Sequence, residues 1–205
     1  GLHHFQAENY GPALPLFSAA VRGVKTNAAY LQNLLLTCSR LEQCQQGLEC
    51  LEQAPAELVA RPELLAFKAY FQSKCGSVAQ ALTNYARVFA QGHRDESDLR
   101  DYVNLLVAQQ DFAPAHAVVD GFLKANDTLE ARLIRADIHR SENDLPKAIA
   151  LLKLEHEKAP FNARITKTLG EYCLEADQAG EALEYSRKLL KSGGKSAANH
   201  YFKAR

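Results

Sequence analysis

The sequence predicts an all-α fold in which one helix pair is repeated along the chain, and two observations carry that prediction. The first is a small residue that returns at an interval of about 34 residues: Ala13, Gly47, Ala81, Ala115, Ala148 and Ala182. The second is what surrounds it. Three residues earlier stand Tyr10, Cys44, Val78, Phe112, Leu145 and Ala179, and one residue later Leu14, Leu48, Leu82, His116, Ile149 and Leu183. Four residues later come Phe17, Leu51, Tyr85, Val119, Leu152 and Ser186. These offsets trace one face of an α-helix, so each recurrence marks a helix that packs its small residue against a neighbour. Self-similarity at that period means a helical solenoid, whose core is a strip renewed at every repeat.

With Ala13 placed at position 20 of a 34-residue unit, position 8 reads Gly1, Leu35, Ala69, Val103, Ala136, Gly170 and Ala204. Position 27 reads Ala20, Ala54, Val88, Phe122, Glu155 and Leu189, and Pro160 falls at position 32. This arrangement resembles the tetratricopeptide repeat family over the whole chain. The family pattern uses positions 4, 7, 8 and 11 of a helix A and 17, 20, 24 and 27 of a helix B, within a repeat of about 34 residues. The resemblance implies a right-handed superhelical solenoid of antiparallel helix pairs, forming a single domain over residues 1–205. Its repeats run 1–27 (lacking the first seven positions), 28–61, 62–95, 96–128, 129–162 and 163–196, with 197–205 opening a seventh. Both ends fall inside a helix A at a core position, so a fragment of a longer protein with uncapped terminal repeats is expected.

The elements follow in order. Repeat 1 has the tail of helix A over 1–6 and helix B over 10–22; the adjacent His3 and His4 point apart around a helix and are read as solvent or end residues. In repeat 2, helix A spans 28–41 with Leu31, Leu34, Leu35 and Leu36, and helix B runs from Cys44 to about Gln53, where Ala54-Pro55-Ala56 stops it. Repeat 3 opens with Pro62 in the first turn and Glu63 beside it. Gly76 marks its inter-helix turn and Gly92 its end. Repeat 4 starts on the acidic Asp95-Glu96-Ser97-Asp98, carries Leu99, Tyr102, Val103 and Leu106 on helix A, and has helix B over 112–124. His116, at a usually apolar position, is read as a hydrogen-bonded packing histidine in preference to a ligand. In repeat 5, Arg132 and Arg135 occupy apolar positions 4 and 7, which predicts a rotated helix A. Asn143-Asp144-Leu145-Pro146 begins its helix B with a capping residue and an early Pro. Repeat 6 returns to the pattern with Leu169, Gly170, Cys173, Ala182, Leu183 and Leu189.

Composition excludes several classes. The 24 basic and 24 acidic side chains leave no net charge, and there is no basic stripe to neutralise phosphates, so no nucleic-acid partner is expected. No apolar run approaches the roughly 18 residues of a membrane span, so direct membrane insertion is not expected either. Of five cysteines, Cys38, Cys44 and Cys173 sit at helix-packing positions and are read as small buried hydrophobes. The even spacing of Cys38, Cys44 and Cys50 does not suit a metal site. Free thiols favour a reducing compartment, so a cytoplasmic location is expected, with a periplasmic one left open by the truncated N-terminus. Ser192-Gly193-Gly194-Lys195-Ser196 imitates the end of a phosphate-binding loop, but Leu189 stands where that motif needs Gly, and the segment follows a helix instead of a strand. Asn126-Asp127-Thr128 has the form of a glycosylation acceptor and is read as an inter-repeat loop. No catalytic motif is present, so the chain is expected to be no enzyme and to need no cofactor or metal.

The resemblance also implies where binding occurs, because A helices line the concave surface of such solenoids. Repeats 2 and 3 place Asn33, Leu36, Arg40, Phe67, Tyr70 and Lys74 there, an apolar and aromatic strip edged with basic residues that suits an amphipathic helix or extended segment. Packing between A helices is the competing reading for Phe67 and, less so, for Tyr70. Repeats 4 to 6 place Arg100, Asn104, Asp137, Arg140, Arg164 and Lys167 there. Arg100, Asn104 and Arg164 resemble three of the five places at which family members grip a terminal carboxylate, while Ile134 and Thr168 break the other two; mutual ion pairing is the preferred reading for this group. The expected function is a non-catalytic scaffold that holds a peptide or helical segment of a partner protein. The alternative is the recruiting or regulatory region of a larger enzyme or polysaccharide-secretion protein. Self-association through uncapped ends is a further expectation.

Overall fold

The computed structural model describes residues 1–191. The segment 192–196 and the opening of the seventh repeat at 197–205 lie outside the described residues. Every regular element described is a helix: α1 (Leu2–Gln6), α2 (Tyr10–Gly23), α3 (Ala28–Arg40), α4 (Cys44–Glu52), α5 (Ala56–Val59), α6 (Pro62–Lys74), α7 (Val78–Ala90), α8 (Glu96–Ala108), α9 (Phe112–Ala125), α10 (Leu129–Ser141), α11 (Leu145–Lys158), α12 (Ala163–Glu175) and α13 (Ala179–Lys191). The expected helix boundaries agree to within about two residues, the margin by which helix ends are defined. The short α5 was not expected. Pro55 stops α4 but takes an extended conformation (φ −56°, ψ 134°) that starts a further turn, and this turn buries Leu58 and Val59. The chain forms two compact units, 1–105 and 106–205.

The small-residue register is a steric one. Ala13, Ala81, Ala115 and Ala148 have no exposed surface, and Gly47 and Ala182 are buried with them. At Gly47 the approach is so close that a Cβ would lie 2.5 Å from the ring of Phe71, itself fully buried. At Gly170 a Cβ would meet only ordinary contacts, the nearest being Tyr185 at 3.6 Å. In the first unit Leu31, Leu34, Leu35, Cys38, Leu64 and Phe71 form one apolar cluster. In the second, Leu133, Ala136, Ile149, Leu152, Leu169 and Tyr172 form another. Two polar core residues of the first unit satisfy each other: the Asn84 amide donates to Gln72 at 2.7 Å, and Gln72 donates to Gln80 at 2.9 Å.

The turn from helix A to helix B is built identically in all six repeats. Glu8, Glu42, Gly76, Gln110, Asn143 and Asp177 all have φ between 56° and 85°, and all fall at position 15. The next N–H reaches back to the carbonyl at position 11: Asn9 to His4, Gln43 to Cys38, Ser77 to Gln72, Asp111 to Leu106, Asp144 to His139 and Gln178 to Cys173, at 2.7–2.9 Å. This is the helix stop in which one left-handed residue lets the chain satisfy an orphan carbonyl. Side chains cap the starts of α3, α10, α11 and α12. Asn27 accepts from Tyr30 N–H, Thr128 from Ala131 N–H, Asp144 from Lys147 N–H and Asn162 from Ile165 N–H, all at 3.2–3.3 Å.

Repeat 5 departs from the pattern by exchanging apolar contacts for charge. Arg132 at position 4 lies 2.8 Å from Glu155 at position 27, and Asp127 and Lys158 extend the network at 2.5 and 2.8 Å. Arg135 pairs with Asp120 at 2.5 Å. The two residues that broke the pattern of repeat 5, Arg132 and Glu155, are thus partners.

One cysteine reading is corrected. Cys44 is bonded to Cys75, joining the first turn of α4 to the end of α6 across 31 residues. It is half-buried at the start of α4, packed against the first unit's apolar cluster, where its thiol also reaches Cys75. Cys38 and Cys173 are buried free thiols. The hydrogen bond to Cys50 and burial push the Cys38 thiol well up, and the same hydrogen bond lowers that of Cys50.

Candidate functional site

In the first unit, α3, α6 and the N-terminal part of α8 bring side chains together around two adjoining cavities. One, of about 500 Å³, is lined by Ser39, Arg40, Glu42, Cys44, Tyr70, Phe71 and Lys74. The other, of about 400 Å³, shares Ser39, Arg40 and Tyr70 and adds Leu36, Phe67, Glu63, His93, Asp95 and Asp98, with Asp101 and Ser97 completing its wall. Both are of the size of small-ligand and peptide side-chain pockets. Of the residues expected on this face, Leu36, Arg40, Phe67, Tyr70 and Lys74 line the cavities, whereas Asn33, Arg100 and Asn104 are not among the lining residues.

Helix periodicity explains the grouping. Phe67, Tyr70 and Lys74 are spaced three and four residues apart along α6, as Leu36 and Arg40 are along α3. The aromatic rings are held from beneath: Phe67 stacks on Phe71 with centroids 6.3 Å apart, and Tyr70 meets the same ring edge-on at 5.4 Å. Lys74 lies over the Tyr70 ring, 5.4 Å from its centroid. Phe67 and Tyr70 therefore both pack and remain half-exposed.

An acidic wall faces this strip, and sequence reasoning had read Asp95 and Asp98 only as helix-start chemistry and Asp101 as a partner for nearby cations. Asp95 does cap α8, accepting from Ser97 and Asp98 N–H at 2.8 and 3.2 Å. Burial opposes its charge, but these bonds and the Ser97 hydroxyl leave its carboxyl below the usual range. Asp98 binds His93 at 2.7 Å, yet burial raises its carboxyl above the usual range. Burial likewise raises Asp101, against the opposing field of Lys74. The strip thus combines the cations Arg40 and Lys74 with carboxylates partly desolvated by the fold. The spacing of Asp95, Asp98 and Asp101, one helix face, was the available signal.

The expected residues of the second unit are each engaged with neighbouring side chains. Asp137 accepts from the Tyr172 hydroxyl. Arg140 bonds Glu175 at 2.6 Å and lies over the Tyr172 ring, 5.4 Å from its centroid. Arg164 pairs with Glu130, and Lys167 lies 3.8 Å from Glu171. His116 donates to Glu142 at 3.0 Å. Thr128, in the glycosylation-like triplet, is the N-cap of α10.

No protein-family model matches the sequence, and no curated protein matches it. By structure the chain is similar to a tetratricopeptide repeat protein from Parabacteroides merdae ATCC 43184, at 16% identity and a TM-score of 0.76, covering 98% of this chain and 80% of that one. It is similar to PilW, a type IV pilus biogenesis factor, at 15% identity and a TM-score of 0.75, covering 98% and 93% of the two chains. It is also similar to YrrB, a tetratricopeptide repeat protein with an unusual peptide-binding site, at 16% identity and a TM-score of 0.58, covering 92% and 98%. The chain has the tetratricopeptide repeat fold.

Proposed function

We propose that the chain is a non-catalytic interaction scaffold whose helix-A face in the first unit binds a segment of another protein. The observation that carries this reading is the pair of adjoining cavities that share Arg40 and Tyr70, one lined also by Phe71 and Lys74 and the other by Leu36, Phe67, Asp95, Asp98 and Asp101. The matching segment places an apolar side chain over the rings, an acidic residue toward Arg40 and Lys74, and a basic residue toward the aspartates. Rigid helices hold these groups in place before binding, so little ordering cost falls on the scaffold. The peptide-binding site of YrrB, a protein of the same fold, supports the reading by analogy. Asp137, Arg140, Arg164 and Lys167 serve internal pairing in this proposal. The Cys44–Cys75 bridge removes the free-thiol argument for a cytoplasmic location and favours an oxidising compartment.

The test is affinity capture with the intact chain, followed by mass spectrometry, repeated with Tyr70→Ala, Lys74→Glu and Arg100→Ala. Tyr70→Ala and Lys74→Glu are expected to lose the captured protein with little change in melting temperature. Capture that survives both substitutions refutes the proposed face.

A further inference from the structure

We propose that His116, His139 and Glu142 in the second unit form a binding site for one divalent transition-metal ion of the zinc class. The three donors converge from two helices. Glu142 Oε2 is 3.0 Å from His116 Nε2 on α9 and 2.9 Å from His139 Nδ1 in the last turn of α10. All three ligand atoms lie within 4.8 Å of one another, and the two imidazole centroids are 4.5 Å apart. His139 and Glu142 are fixed by the α10 stop, because the left-handed Asn143 and the Asp144 N–H bond to the His139 carbonyl clamp the backbone around both. His116 is carried in at position 21 of repeat 4, where the pattern otherwise has an apolar residue.

The donor set is chemically selective. Two imidazole nitrogens and one carboxylate oxygen suit zinc and its neighbours, leaving a fourth position for water. Tetrahedral zinc with bonds of about 2.0–2.1 Å holds its ligands about 3.3 Å apart; the present N–O separations fall short by a few tenths of an ångström, a shift within reach of side-chain rotation. Glu142 now accepts one hydrogen bond from each ring. Metal binding replaces those two contacts: each facing nitrogen gives up its proton, to the other ring nitrogen or to solvent, and the hydrated ion exchanges its water shell for the three donors and keeps one water in the fourth position. The site has an entry path, since the side chains of His116 and Glu142 are 26% and 27% exposed, while His139 at 7% anchors it. Lys147 is the nearby charge that opposes a cation, so the single carboxylate is essential to the balance.

Zinc is titrated calorimetrically into the full chain, and cobalt(II) is followed by visible absorption. One equivalent is expected, with cobalt bands free of thiolate charge transfer, which separates this site from Cys38, Cys50 and Cys173. Glu142→Gln, which keeps shape and removes charge, and His116→Ala are each expected to weaken binding at least about tenfold. Zinc at 100 times its Kd is expected to shift the folding equilibrium about 100-fold, read as a raised melting temperature. Binding that persists unchanged in either folded variant, thiolate bands, or no uptake at millimolar zinc overturns the proposal and leaves a hydrogen-bonded packing triad.

Discussion

Gly47→Ala is expected to destabilise the protein, whereas Gly170→Ala is expected to stabilise it, although both sites lie inside helices at packing positions. Replacing a helical Gly by Ala returns about 0.5–1 kcal/mol of backbone entropy and propensity. At Gly170 nothing opposes that gain, because the added methyl meets Tyr185 at 3.6 Å. At Gly47 the methyl falls 2.5 Å from the Phe71 ring. That ring is fully buried against the cluster of Leu31, Leu34 and Leu64, so it has nowhere to move. Overpacking of this kind costs about 1–3 kcal/mol, which outweighs the helix gain. With about 2–4 °C per kcal/mol for a chain of this size, the two melting temperatures move in opposite directions. Phe71→Leu in the Gly47→Ala background clears the contact and is expected to cost less than the sum of the two single substitutions. Thermal melts by circular dichroism measure the parent chain, the three single variants and the double variant. A Gly47→Ala variant as stable as Gly170→Ala, or strict additivity of the double variant, refutes the steric account of the repeat.

Three further outcomes are expected. Glu42→Gly and Gln110→Gly relieve left-handed strain of about 1–2 kcal/mol per residue, partly offset by glycine's unfolded-state entropy, so each raises the denaturation midpoint by a fraction of that amount; a fall in either contradicts the turn assignment. Glu155→Ala alone leaves Arg132 with the exposed Asp127 as its remaining ion-pair partner and is expected to cost about 1–3 kcal/mol, while Arg132→Leu with Glu155→Ala restores most of it, read by a double-mutant cycle in urea. Alkylation of the unfolded, unreduced chain labels three of its five cysteines, and reduction exposes the other two; loss of the bridge lowers stability by about 3–4 kcal/mol through loop-closure entropy, whereas five labelled thiols at the outset refute it.

What the sequence revealed divides along physical lines. The helix pair and its register were legible because Ala13, Gly47, Ala81, Ala115, Ala148 and Ala182 answer one steric demand that few residues meet. The turn at position 15 was legible only at Gly76. Glu8, Glu42, Gln110, Asn143 and Asp177 share a backbone conformation and no side-chain chemistry, and the hydrogen bonds that enforce it are main-chain ones. Arg132 and Glu155 looked like two separate faults, and their compensation shows only when positions 4 and 27 of one repeat are considered together. On the candidate face, Phe67, Tyr70 and Lys74 were visible through helical spacing. The aspartates opposite them, and the pairing of Cys44 with Cys75, depend on which repeats become neighbours, and a one-dimensional period does not encode that.

The bridge also sets how the chain answers force. When a repeat array is drawn out from its two ends, each repeat that opens lengthens the molecule by its full chain contour. The segment from Cys44 to Cys75, a sequence separation of 31, is short-circuited by a covalent span of 5.8 Å between Cα atoms. About 100 Å of extension is thereby withheld until the sulfurs are reduced. The withheld length contains α4 after Cys44, α5 and all of α6, so tension passes around the rings of Phe67 and Tyr70. The α6 part of the candidate binding face is the stretch of chain that a pull reaches last.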